Sequence, residues 1–237
     1  MGRKIRICKI LPVRDGLKNW GGVHEELMAP LLHDGLEIVQ VDLPDAPVTS
    51  ISSNSDADRV ATAQTEAAVR AEAEGYDGVI MGCLFEPGVS AAKEQLQIPV
   101  VGDLEAALHV ASLLARRFSF VLGGTEVGKG DRPLEDLVRQ YGFSSRVASI
   151  RRISAPTLAF ARQEDLEEAL VDQARVALEQ DGAEAIIGYG SLGLIQGLQR
   201  ALGVPVVSAI QSTVVLVESL ARIGLSQSGR AFEPRRA

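Results

Sequence analysis

The chain has 237 residues, a formal net charge of -7 and a 46% hydrophobic composition. That length buries a full core, as one large domain or two small ones, while the acidic balance speaks against a dedicated nucleic-acid binder. Two cysteines, Cys8 and Cys83, are too few for a disulfide framework or a thiolate metal site. No apolar run is long enough for a membrane span, and MGRKIRICKI at the amino terminus lacks the hydrophobic region of a signal peptide. A cytoplasmic protein with reduced thiols is expected.

Residues 5–11 read as a first strand closed by Pro12, with Cys8 packed inside it. Arg14-Asp15-Gly16 opens a loop, 20–32 suit a helix and 36–42 a second strand. The Ser-, Asp- and Asn-rich stretch from Pro44 to Asp58 reads as a long loop, and the Ala-rich 57–74 as a helix. A short apolar run, Val79-Ile80-Met81, then ends in Gly82-Cys83 before Glu86-Pro87-Gly88 interrupts it. A helix over 89–95, a strand over 98–101 and a helix over 105–115 complete the first half. The second half offers strands over 117–122, 145–153, 185–187 and 204–207, with helices over 132–141, 164–180 and 212–222. Such alternation predicts parallel sheets covered by helices on both faces.

The chain also repeats itself. EGYDGVIMGC and DGAEAIIGYG are each followed by a helical segment, a Pro-led hydrophobic strand (98–101 or 204–207) and a further helix. The offset places Tyr189 or Gly190 opposite Cys83. Two pseudo-symmetric α/β lobes are therefore expected, the first from 1–104 plus 209–237 and the second from 105–208.

In open α/β sheets ligands bind beyond the carboxyl ends of the strands, which is where this pattern puts Cys83. A thiol of ordinary pKa, about 8.5, is mostly protonated at neutral pH, so a positive field or convergent amides are expected to lower it for acid–base or nucleophilic work. Gly124, Thr125, Gly190 and Ser191 offer amides and hydroxyls at strand ends for a carboxylate or imide carbonyl. No dinucleotide or Walker fingerprint is present, and His24, His33 and His109 have no zinc spacing. Glu86 reads as a carboxylate that orients its loop, pairs with Arg14 or is solvated, and the pairs Arg116-Arg117 and Arg151-Arg152 as solvated surface.

The stretches MGCLFEPGVSAAKE, IPVVGDLEAALHVA, RRFSFVLGG and DGAEAIIGYG resemble the aspartate/glutamate racemase superfamily, and most closely its hydantoin and allantoin racemase branch. The resemblance implies two Rossmann-like lobes with a pocket between them, cofactor-independent proton transfer without metal, a small carboxylate or imide substrate and a homo-oligomer. It places Cys83 as catalyst, with Leu84 inserted where the family has an aromatic and Phe85 following. Two positions depart from the pattern. The second family cysteine is replaced at Tyr189 or Gly190, leaving Tyr189 as a candidate second acid. The family's Asn-Pro-Asn-Thr run is here Leu11-Pro12-Val13-Arg14, so Pro12 and Arg14 are candidate substrate contacts, together with Leu192 beside Ser191. A racemase or isomerase is the leading expectation. The alternatives are a one-cysteine decarboxylase or lyase that protonates an enolate, or a non-catalytic small-molecule binder.

Overall fold

The computed structural model describes residues 3–124, 128–129, 131–161 and 166–233. In chain order its elements are β1 (Ile5–Leu11), α1 (Gly22–Met28), β2 (Leu36–Asp42), α2 (Asn54–Ala73), β3 (Gly78–Met81), α3 (Val89–Gln95), β4 (Val100–Gly102) and α4 (Asp103–Leu114). There follow β5 (Phe118–Gly124), β6 (Gly128–Lys129), α5 (Arg132–Gln140), β7 (Val147–Ser154), α6 (Thr157–Ala161), α7 (Glu167–Glu179), β8 (Ala185–Gly188), α8 (Leu192–Leu202), β9 (Val206–Ser208) and α9 (Ala209–Arg222). A π-helical turn at Leu17–Gly21 leads into α1. The chain forms two Rossmann-like α/β units, one of Met1–Gly21, Met28–Leu104 and Thr213–Ala237, the other of Gly22–Leu27 and Glu105–Ser212.

The first unit holds a parallel sheet in the order β2-β1-β3-β4. Strand order reverses between β1 and β3, because β2 lies to one side of β1 while β3 and β4 lie to the other. A crevice opens at such a reversal, outside the carboxyl ends of the strands. Ile7, Ile10, Val79, Ile80 and Met81 are fully buried in this sheet, each contributing on the order of 1.5–3 kcal/mol. Val217 of α9 packs so closely on Gly78 that a Cβ there would lie 2.7 Å from its Cγ2. Ser53 caps α2, its hydroxyl accepting from the Asp56 N–H at 3.1 Å. That helix starts earlier than its Ala-rich run suggests because the cap lies in the preceding polar stretch.

The second unit repeats the plan with a sheet in the order β6-β7-β5-β8-β9, parallel except for the short antiparallel edge β6. Its reversal lies between β5 and β8. Phe118, Phe120, Leu134, Leu170, Ile186 and Ile187 form the buried core. Gln211 donates through Nε2 to the Leu27 carbonyl at 3.0 Å, which ties the Gly22–Leu27 turn of helix to this unit. Neither β6 nor α6 was expected, since a two-residue edge strand carries no period. No helix of the described residues is long and apolar enough to cross a membrane.

Candidate active site

Cys83 stands two residues beyond the end of β3, beside the reversal between β1 and β3. The Gly82 N–H continues the ladder by donating to the Ile10 carbonyl at 3.0 Å. The Gly82 carbonyl accepts from Gln64 Nε2, buried on α2, at 3.2 Å. There the backbone turns sharply, and Cys83 adopts φ +100° and Glu86 φ +49°. Each such non-glycine residue costs on the order of 1–3 kcal/mol and persists only where its surroundings hold it.

Those surroundings are specific. The Cys83 N–H donates to Asp103 Oδ2 at 3.0 Å, and its carbonyl accepts from the Glu86 N–H at 3.0 Å. The Phe85 N–H points at the Cys83 sulfur, 3.4 Å away. Glu86 is buried, and its carboxylate lies where a Cβ on Gly102 would be, so only glycine fits at the end of β4. The solvated reading of Glu86 is thereby corrected: the turn folds its side chain inward against the neighbouring strand.

Asp103 opens α4 and is itself buried. Besides the Cys83 N–H it accepts from Thr213 Oγ1 of α9 through Oδ1 at 2.9 Å. Lys9, from the middle of β1, is fully buried with Nζ 3.6 Å from Asp103 Oδ1. Among the described residues that ammonium has no hydrogen-bond partner. An anion at a helix amino terminus is also favoured by the helix dipole.

The thiol responds to this setting. Burial pushes Cys83 up to about 12, against the Phe85 N–H, which favours the thiolate; the Asp103 and Glu86 carboxylates add to the rise. The expected lowering is thus reversed, because the nearest charges are negative and the sulfur is desolvated. Cys83 is a protonated acid at neutral pH and, once ionised, a strong base. Cys8 lies buried in β1 and is likewise raised to about 12, chiefly by burial.

In the second unit, Tyr189 and Gly190 follow β8 as Gly82 and Cys83 follow β3. Gly190 has φ +139°, so it, and not Tyr189, is the counterpart of Cys83. Tyr189 is half-buried, with its ring edge-on to Phe160 at 6.1 Å. The Ser191 hydroxyl caps α8 by accepting from the Leu194 N–H at 3.3 Å, and Leu192 is the first residue of that helix. Gly124 ends β5 with Arg152 lying across it, so that a Cβ there would be 2.7 Å from Arg152 Cδ.

Arg152 pairs with buried Asp131, and Arg151 pairs with Asp181 through two hydrogen bonds of 2.6 and 3.1 Å. These two arginines are therefore not solvated surface: β7, between β6 and β5, carries each of them to an acidic partner. Burial also lowers the Arg152 pKa. Thr125 lies outside the described residues.

Of the remaining expected residues, Pro12 is buried beside Gly82, and Leu84 and Phe85 are half-buried on the Cys83 turn. Arg14 is exposed; its guanidinium donates to the Ala46 carbonyl at 3.4 Å. The structure thus gathers Cys83, Leu84, Phe85 and Pro12 in one unit and Tyr189, Gly190, Ser191 and Leu192 in the other. Sequence reasoning missed Lys9, Gln64, Thr213 and Phe160. A lysine inside an apolar strand, Ile7-Cys8-Lys9-Ile10-Leu11, was a signal that could have marked the first. Among the described residues no group of three or more His, Cys, Asp or Glu side chains could hold a metal ion.

Two doubly wound units, with a strained cysteine at the reversal of one of them, define an α/β protein with a candidate catalytic thiol. Residues 22–217 match the family model described as Asp/Glu/Hydantoin racemase, and the chain belongs to that family. It is 35% identical over 160 residues to a hydantoin racemase of Rhizobium meliloti, covering 66% of this chain and 65% of that relative. The chain thus matches just under two thirds of that relative's length. An allantoin racemase from Klebsiella pneumoniae superposes with a TM-score of 0.83 at 32% identity, over 99% of this chain and 95% of that one. The allantoin racemase of Pseudomonas fluorescens gives 0.82 at 29%, over 98% of each chain.

Proposed function

We propose that this chain inverts the configuration of a carbon acid in a hydantoin-like ring or a related amino or carboxylic acid, with Cys83 as its acid–base group. The observation that carries this reading is the Cys83 turn, a half-buried thiol at the sheet reversal held at φ +100° by a buried carboxylate. The hydantoin and allantoin racemases among its relatives support the substrate class.

In the proposed reaction the Cys83 thiolate takes the proton from the carbon next to the ring carbonyl. The C–H electron pair delocalises onto that carbonyl as an enolate, and a proton returns to the carbon from the other face. A thiolate whose conjugate acid lies near 12 is a stronger base toward such a weak carbon acid than an ordinary thiolate, at the cost of a small ionised fraction. In the reverse direction the protonated thiol is the acid. Tyr189 is the candidate second donor.

Incubation of each enantiomer of a 5-substituted hydantoin, and of allantoin, in deuterium oxide tests the reading by chiral chromatography and mass spectrometry. Deuterium uptake with inversion is expected. Configurational stability of every member of the panel would defeat it.

A second reading draws on one observation: the chain has two cysteines, and Cys8 is buried within β1. A one-thiol reaction, protonation of an enolate after carbon dioxide loss, needs no partner cysteine. Carbon dioxide release from a disubstituted malonate distinguishes it.

A further inference from the structure

The two units place different residues at equivalent points of the same framework. Lys9 of β1 pairs in register with Ile80 of β3, and Phe120 of β5 with Ile187 of β8, each one residue before the last residue of its partner strand. Asp103 immediately follows β4, and Ala209 immediately follows β9. Where the first unit buries a lysine and an aspartate, the second buries a phenylalanine and an alanine.

The framework therefore closes without a charged pair. Exchanging buried ion pairs for apolar residues of similar volume is commonly neutral or stabilising, and the second unit is built in that apolar way. What separates the two units is the residue beyond the central strand. Gly190 adopts its positive φ without steric cost, whereas Cys83 has a Cβ to accommodate.

We propose that buried Lys9, Asp103 and Thr213 form a positioning device that holds Cys83 in its left-handed backbone conformation and so aims the thiol. The functional consequence rests on the reading of Cys83 as the acid–base group. Asp103 uses one oxygen for the Cys83 N–H and the other for the Thr213 hydroxyl. Both bonds need an acceptor, and the two oxygens of the carboxylate supply one to each donor. Lys9 stands 3.6 Å from Asp103 as its counter-ion, and acts on Cys83 through it. The other charge acting on the sulfur is Glu86.

The test uses the full chain and the variants Lys9→Met, Lys9→Met/Asp103→Asn and Thr213→Val. Three quantities are read: kcat and KM for hydantoin racemisation, the rate of Cys83 alkylation by iodoacetamide with Cys8 as internal reference, and the melting temperature. Lys9→Met is expected to lower kcat by about tenfold to a hundredfold with little change in KM, since a small misplacement of a reacting group costs that much. It also slows Cys83 alkylation at neutral pH, because the Asp103 charge opposing the thiolate loses its counter-ion, while Cys8 is unaffected.

The double variant removes both charges but keeps an amide oxygen for the Cys83 N–H. It is expected to recover kcat to within about fivefold of wild type, the non-additivity of residues that act as a unit. Thr213→Val, which leaves all charges in place, is expected to cost about threefold in kcat through one lost hydrogen bond.

Wild-type kcat and alkylation in Lys9→Met, or a double variant no better than the single one, would overturn the device. Should Lys9→Met fail to fold, the same comparison falls to Thr213→Val, where wild-type values in both assays overturn it. If the wild-type chain racemises no hydantoin, the proposed function fails, while the alkylation arm still decides the positioning claim.

Discussion

The ends of β3 and β8 solve one geometric problem with different residues. Both strands stop and turn through a positive φ two residues later, at Cys83 and at Gly190. Glycine meets that demand by having no side chain, and the positions equivalent to Lys9 and Asp103 are filled by Phe120 and Ala209. A cysteine meets it only with help, and the help is a buried carboxylate, a buried ammonium and a hydroxyl. Strain of this kind commonly marks where a side chain is put to use, and of these two strand ends the one at Cys83 bears it.

Removing the sulfur is expected to break the comparison most completely. Cys83→Ser should lower the rate of proton exchange at the substrate carbon by about a hundredfold to ten-thousandfold, the usual range for a lost acid–base group. The melting temperature should hardly move, because the Asp103 bond is to the backbone N–H. Deuterium exchange at the wild-type rate would remove Cys83 from the chemistry.

Interchanging the two solutions gives smaller effects of opposite sign. Gly190→Cys should destabilise the chain by about 1–3 kcal/mol, since the new side chain must accept a left-handed backbone and displace Leu194 with no carboxylate behind it. Cys83→Gly should raise stability by about 1 kcal/mol or less while leaving no activity, the reverse of placing a Cβ at positive φ. Urea titration reads both. A Gly190→Cys variant as stable as wild type would show that the strain argument is misplaced.

Much of this framework was legible in the primary structure, and the reasons differ by element. The strands are short apolar runs closed by proline or glycine, so β1, β3 and β8 lay within a residue or two of where Ile5–Leu11, Gly78–Met81 and Ala185–Gly188 stand. The repeat was visible because both units reuse a Pro-led strand. What the repeat left open, Tyr189 or Gly190 opposite Cys83, depended on a backbone angle, which spacing does not encode. Lys9 and Asp103 are ninety-four positions apart in sequence. Their meeting follows from β1 and β4 flanking β3, a fact of strand order that no local pattern carries.

The protonation of the two cysteines sharpens the comparison further. Both are raised to about 12, well above the ordinary thiol range, so the folded chain holds their protons more tightly than the unfolded chain. The stability from this source is fully present below about pH 9 and is lost as pH climbs toward about 12. Cys83→Gly should therefore show a shallower alkaline fall in denaturation experiments, by up to one proton. Racemisation and Cys83 alkylation should both rise with pH through this window without an early plateau, because each uses the scarce thiolate. A plateau near neutrality would show that the thiol is ionised far more readily than its surroundings dictate.

The smallest effect is expected at Tyr189. Replacement by Phe keeps the ring that meets Phe160 edge-on and removes only the hydroxyl, so stability should stay within about 0.5 kcal/mol of wild type. If the phenol returns the second proton, inversion slows by about tenfold or more while exchange with retention at the Cys83 face continues. Separate measurement of exchange and inversion is thus decisive, since a purely packing tyrosine leaves their ratio unchanged. With Gly190 as the true counterpart of Cys83, Tyr189 sits one residue earlier, at the place of Gly82. A phenol reaches farther than a thiol, and the exchange-to-inversion ratio of Tyr189→Phe decides whether that length does the work of a second sulfur.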